Sequence, residues 1–272
     1  LSQISLDQAP STHELGQVQV HELVSRANEW LQPARFKDYG TNGLQVQGAP
    51  LVGKLISGVT ASLALIESAA LRGAKAILVH HGLFWKGQDA TLTGWMRERV
   101  ASLIKHDINL IAYHLPLDAH PLHGNNAQLA IKLGLLTQDT FGDQNLGHIG
   151  CFVEPSRRES GMGLQELVRS IKLALGREPL LVAKDSNRLV RKIAWCTGGA
   201  QSWFDDAIKV GADAYITGEI SEPQAHLARE TGVAFIACGH HATERYGVQA
   251  LGNALAQEFN IAHEFIDIDN PA

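Results

Sequence analysis

Two nine-residue stretches, Gly73-Ala-Lys-Ala-Ile-Leu-Val-His-His81 and Gly211-Ala-Asp-Ala-Tyr-Ile-Thr-Gly-Glu219, line up with each other along their whole length. Each opens on a small-residue turn, runs into a short apolar segment of strand type, and follows a strand, a turn and a helix in the spacing of the chain. Repeated strand–helix–strand units restrict a chain to an α/β architecture. Parallel neighbours need a crossover, and the sheet they build must be covered by helices. The repeat therefore reads as a duplicated α/β module, with His80-His81 and Gly218-Glu219 at equivalent strand ends.

Periodicity fills in the rest. Helices are expected over 18–31, 62–72 (with Ser62 as N-cap), 93–106, 126–133, 164–175, 203–210, 223–231 and 243–259. Strands are expected over 44–46, 54–60, 74–79, 108–113, 149–153, 180–183, 190–196, 214–217, 233–238 and 263–268. The expected organisation is a polar leader over 1–17, a first module over 18–145 completed by 235–272, and a second module over 146–234. The fold class is α/β: a duplicated three-layer α/β/α module with mixed sheets.

Composition narrows the function classes. A chain of 272 residues with 45% hydrophobic and 19% charged residues is an ordinary globular protein with room for a large core. A net charge of −5 argues against a broadly basic nucleic-acid surface. Cys151, Cys196 and Cys238 form no Cys-x-x-Cys pair and read as reduced core thiols of a cytoplasmic protein. No apolar run approaches the roughly 18 residues of a membrane span. The first residues lack the basic and apolar regions of a signal peptide.

The chemistry gathers at three expected strand ends: His80-His81, His114-Leu-Pro-Leu-Asp118 and Cys238-Gly-His240-His-Ala-Thr-Glu244. Carboxyl ends of parallel strands are where open α/β sheets hold ligands, and these three are expected side by side on one sheet. His240 and Glu244 are spaced to share one helical face. Neighbouring side chains on a strand point to opposite faces, so His80 and His81 suit two different ions of a pair. Together His80, His81, Asp118, His240 and Glu244 offer mixed nitrogen and oxygen ligation, which suits two divalent ions about 3.5–4 Å apart. Such ligation is compatible with Zn, Mn, Fe or Co. The ions would outweigh the two carboxylates, favour an oxyanion or phosphate, and lower the pKa of a bound water.

Read singly, each of these segments also fits polar residues that open a loop or a helix. His114 reads as an outer partner of a ligand or as a proton shuttle, and Glu219 as a general base, an outer partner or a capping residue. His123 and His241 read as structural, with His241 pointing away from the ion if His240 points towards it. Gly198-Gly199 reads as a tight turn, with an anion cradle as the alternative. Gly48 to Lys54 looks like a P-loop only superficially, because Leu55 stands where Ser or Thr is required and a strand follows in place of a helix.

The stretches Val79-His-His-Gly-Leu-Phe-Trp85, His114-Leu-Pro-Leu-Asp-Ala-His120 with Gly124-Asn-Asn-Ala127, Ile216-Thr-Gly-Glu219 and Gly239-His-His-Ala-Thr-Glu-Arg245 together resemble the YbgI/Nif-three-like family of GTP cyclohydrolase I type 2 homologues. Asp38-Tyr-Gly-Thr-Asn-Gly-Leu-Gln-Val46 fits the N-terminal turn of that family, and the resemblance runs from Val18 to Ile268. It implies a two-metal site between the two halves and a toroidal homohexamer with its sites facing inward. Carried over residue by residue, it implies His81 and Asp118 on one ion, His80 and His240 on the other, and Glu244 bridging.

The leading functional expectation is a metal-dependent hydrolase acting on a nucleotide or other phosphorylated small molecule, with two divalent ions per subunit. The competing expectation is a metal-binding protein without turnover, serving in regulation or interaction. A ring-shaped DNA-repair factor is the third, opposed by the acidic composition.

Overall fold

The computed structural model describes residues 15–272. Residues 1–14 of the expected leader lie outside the described residues. At its end, the Gly16 N–H donates to the Asn260 carbonyl (2.7 Å).

Two main sheets organise the chain. The first has five strands in the order Ala262–Phe265, Lys54–Thr60, Ala76–His81, Asn109–Ala112 and Gly43–Val46. All are parallel except the last. The second has six, in the order Leu180–Val182, Ala234–Ala237, Ala214–Thr217, Ile193–Trp195, Gly147–Phe152 and Leu135–Phe141. Its three parallel members are flanked by antiparallel strands on both sides.

The duplication extends to the hydrogen bonds of the turns. Gly73 and Gly211 follow equivalent helices and both take left-handed backbone, φ 67° and 76°, which a glycine adopts without strain. The next N–H in each repeat, Ala74 or Ala212, reaches back to Ala69 or Ala207 (3.1 Å in both). Lys75 and Asp213 then donate to the carbonyls of Lys54 and Lys192, tying each middle strand to the start of its neighbour.

Alternation along the strands sends side chains to two faces, and each face is covered. On the first sheet, Leu55, Leu78 and Ile111 pack under Leu23 and Ala27 of helix Val20–Leu31 and under Val248 and Leu251 of helix His240–Phe259. Ile56, Ile77 and Leu110 pack under Leu65 and Val100 of helices Leu63–Leu71 and Gly94–Lys105 on the opposite face. On the second sheet, Ile193, Trp195 and Ile216 meet helix Leu164–Leu175. Ala194, Tyr215 and Phe235 meet helices Phe204–Lys209 and Glu222–Thr231. The duplicated three-layer architecture is what is observed.

Several boundaries differ from expectation. Leu135–Phe141 is a strand and belongs to the second sheet, so the second half begins before residue 146. It is an edge strand whose five central residues are exposed, and it therefore lacks the apolar pattern of the inner strands. Ala234–Ala237 also belongs to the second sheet, although 235–272 was expected to complete the first module; the chain returns to the first sheet through the next helix. That helix starts at His240, three residues before the expected 243. The expected strand over 190–196 is two pieces, Leu189–Val190 against Met162–Gly163 and Ile193–Trp195 in the sheet. All three cysteines are buried and free, and no helix among the described residues is long and apolar enough to cross a membrane.

Candidate metal centre

Carboxyl ends of parallel strands from both sheets face one point. His80 and His81 close strand Ala76–His81, Asp118 lies in the short helix Leu115–Ala119 beyond Asn109–Ala112, and His240 and Glu244 open the helix that follows Ala234–Ala237. The three segments were expected on one sheet; the third comes from the other.

Glu244 stands in the middle. Its Oε1 is 3.4 Å from His80 Nε2, and that nitrogen is 3.5 Å from Asp118 Oδ1. Its Oε2 is 3.3 Å from His81 Nε2 and 3.1 Å from His240 Nε2. The carboxylate thus divides the donors into His80 with Asp118 and His81 with His240, each set sharing one Glu244 oxygen. The expected ion pairing set His81 with Asp118 and His80 with His240; in this fold the donor atoms lie closest the other way round. His80 continues the Ala76 and Leu78 face, where Leu117 packs, and so meets Asp118. His81 falls on the other face, beside the Thr60 hydroxyl (3.3 Å), and meets the His240 ring at 5.2 Å between centroids.

Each imidazole is held from behind. His80 Nδ1 is 3.0 Å from the Tyr113 carbonyl, which only accepts, so Nδ1 carries a hydrogen and Nε2 is the atom turned to the centre. His240 Nδ1 lies 2.6 Å from Glu219 Oε1. Asp118 Oδ1 accepts from Asn125 Nδ2 (2.8 Å) and Thr197 Oγ1 (3.4 Å). Metal-binding histidines characteristically donate their second N–H to a carbonyl or carboxylate in this way. His80 Nε2 and Glu244 Oε2 are buried without a hydrogen bond; close as Oε2 is to two imidazoles, it is aligned with neither. Buried polar atoms are seldom left so, and a divalent cation is the partner this donor set fits.

Without a cation the charges settle among themselves. Burial works against a charged His80, but the Asp118 and Glu244 carboxylates outweigh it and raise His80 to about 10. His240 rises to about 9 against its burial, through Glu244 and Glu219. His81 is driven down to about 3 by burial, with the neighbouring imidazoles adding to that effect. Burial opposes an ionised Glu244 too, yet the surrounding histidines hold it well below the usual carboxylate range.

Gly198 is more than a turn. Its φ is +68°, and a Cβ there would collide with Glu244 Oε1 and crowd His240 Nε2. Its N–H donates to Thr243 Oγ1 (3.0 Å), fixing the first turn of the helix that carries Glu244. The only sequence signal for this was two glycines after a strand.

The remaining candidates separate cleanly. Glu219 touches the centre through His240. His114 lies beside it, 5.0 Å from the His80 ring, with Nδ1 2.7 Å from Asp38 Oδ1. His241 is turned to Asp267 (2.7 Å), and His123 stacks on His120 (5.0 Å, 11°). Asp38, in a segment that reads as turn formers, was not expected at the site. Burial alone would raise its carboxyl, but hydrogen bonds from His114, Asn42 and the Gly40 N–H hold it at about 2. A cavity of about 270 Å³ opens beside the cluster, with Tyr39, His114, Asp118, Trp203 and Glu244 in its wall.

Comparison with known proteins agrees with this architecture. The GTP cyclohydrolase 1 type 2 homolog of Neisseria meningitidis serogroup A is 50% identical over 251 residues, covering 92% of this chain and 98% of the relative. The protein of the same name from Escherichia coli K12 is 46% identical over 251 residues, with the same coverage. Among solved structures, protein ybgI superposes with a TM-score of 0.88 at 46% identity, over 94% of this chain and all of that one. TTHA1606 from Thermus thermophilus gives 0.83 at 30% identity, again over 94% of this chain and all of that one. The family described as Duf34/NIF3 (NGG1p interacting factor 3) matches residues 18–271, and the chain belongs to that family.

Proposed function

We propose that this protein is a metal-dependent hydrolase that holds two divalent ions through His80, His81, Asp118, His240 and Glu244 and acts on a nucleotide or other phosphorylated small molecule. The observation that carries the reading is the Glu244 carboxylate, buried and shared between two donor sets, with its own Oε2 and His80 Nε2 left without hydrogen-bond partners. Divalent ions there would make water a better nucleophile and stabilise negative charge developing on the substrate. The protein's part is orientation. Glu219 aims His240, Asn125 and Thr197 aim Asp118, and Tyr113 aims His80. Glu244 is buried, which limits the access of bulk water to the carboxylate that would be shared by the ions. The cavity wall carries the exposed Tyr39 ring and Trp203 together with the buried Asp118 and Glu244. A purine nucleotide accords with the name carried by the relatives.

The test is elemental analysis of metal-replete protein combined with a hydrolysis screen over nucleotides and phosphoesters. Two ions per chain and turnover abolished by His80→Ala are expected. Fewer than one ion per chain would sink the reading. A hexameric, cytoplasmic assembly belongs to the same proposal, and sedimentation of the purified protein reads its size.

A further inference from the structure

The turn around Asp38 is built to hold one distant imidazole. Asp38 Oδ1 accepts from the Gly40 N–H (3.1 Å) and faces His114 Nδ1 (2.7 Å), while Oδ2 accepts from the Leu115 N–H (2.9 Å) and Asn42 Nδ2 (2.8 Å). Asn42 Oδ1 in turn accepts from the His114 N–H (2.8 Å). The Asp38 side chain is 5% exposed, and a carboxylate so buried is retained only where it is fully paired. Three of these bonds reach across more than seventy residues to fix His114 and Leu115. An ordinary turn needs none of them.

His114 then faces the cluster with one nitrogen spent. Its ring stands 5.0 Å from His80 and 5.8 Å from His81, with Trp85 edge-on at 5.0 Å and Tyr39 at 6.2 Å. One ring nitrogen from each of His80, His81 and His114 lies within 4.8 Å of the others. Yet among the described residues His114 pairs with Asp38 and with neither Asp118 nor Glu244, unlike His80 and His240. It sits in the wall of the cavity beside the centre, together with Asp118, His240 and Glu244.

We propose that Asp38 is a positioning residue: it holds His114 as the Nδ1–H tautomer, so that Nε2 accepts a hydrogen bond from the water brought to the cluster. The assignment rests on the metal-dependent reading above for the presence of that water. An acidic group behind an imidazole fixes both its orientation and its tautomer. In Asp38→Asn the amide oxygen goes to the side with two fixed donors, the Leu115 N–H and Asn42 Nδ2, at the cost of the single bond from the Gly40 N–H. The amide nitrogen then faces His114 and drives the hydrogen to Nε2, turning an acceptor into a donor.

The test uses the full chain loaded with Co(II), whose visible spectrum reports the water it holds as pH is varied. Asp38→Asn should move the spectral midpoint by about one pH unit, equivalent to roughly tenfold, with Co(II) stoichiometry unchanged. His114→Gln leaves the other bonds of Asp38 in place, so it covers the case in which Asp38→Asn misfolds. It should give a shift of the same order, and the double variant should shift no further. An unmoved midpoint in His114→Gln overturns the assignment, and so does loss of bound Co(II), which would make His114 a ligand. Hydrolysis of bis(p-nitrophenyl) phosphate is followed in parallel. A moved midpoint without turnover removes the hydrolase reading and leaves Asp38 standing; turnover with an unmoved midpoint does the reverse.

Discussion

The ends of strands Ala76–His81 and Ala214–Thr217 are copies in backbone and opposites in chemistry. Both follow a left-handed glycine, both have a parallel strand on each side, and both are anchored by the same pattern of turn hydrogen bonds. One ends in His80-His81, two inward donors. The other ends in Gly218-Glu219. There, a Cβ on Gly218 would press into the Gly198 carbonyl and the His240 backbone, and Glu219 reaches the centre only by way of His240 Nδ1. A duplicated scaffold has thus divided the work. The first copy presents donors. The second clears space for the helix that brings His240 and Glu244, and steadies one of them.

That division can be broken by substitution. Glu244→Ala removes the carboxylate common to both donor sets and should abolish binding of both ions, read by elemental analysis after metal-replete preparation. Retention of one tightly held ion would mean that the two sets do not depend on a shared oxygen. Next in size is Gly198→Ala, which forces a side chain into left-handed backbone and against Glu244. A stability loss of about 1–3 kcal/mol is expected in denaturant unfolding, and an unchanged midpoint would show that the cradle yields. Glu219→Gln should keep both ions but bind them roughly 10- to 100-fold more weakly in chelator competition. If it costs as much as Glu244→Ala, the contrast between the two strand ends collapses.

A further effect is in pH. His80 and His240 are raised from 6.5 to about 10 and about 9 in the metal-free fold. Groups raised on folding stabilise fully below their unfolded value and lose that contribution as pH climbs through the folded one. Thermal stability of the metal-free protein should therefore decline from pH 6.5 towards pH 10. Over the same range metal affinity should rise, because fewer protons must be displaced. A metal-free stability that is flat across this range would contradict the charge arrangement at the centre.

Inner strands were legible because burial on both faces leaves near-continuous apolar runs such as Ile77-Leu78-Val79. Leu135–Phe141 was not, since an edge strand with polar outward residues looks like a loop. The five candidate ligands could be picked out because His, Asp and Glu at strand ends are conspicuous against apolar runs. How they pair could not. It depends on which sheet each segment joins and which face each histidine takes, and neither is a local property. Asp38 and Gly198 were hidden for a related reason. Aspartate and glycine are what any turn uses, and their roles appear only when residues 114 and 244 come within reach.

Helix His240–Phe259 begins against the second sheet, where Gly198 meets its first turn, and buries Val248, Leu251 and Leu255 in the core of the first. No fragment cut at the junction of the halves can carry a complete set of donors, because the residues that complete it ride on an element rooted in both cores. The donor set is complete only once that helix has packed into the first core and Gly198 has met its first turn. If the proposed ions bind, their uptake during refolding would report the docking of one half on the other, and added metal should accelerate only the steps that follow it.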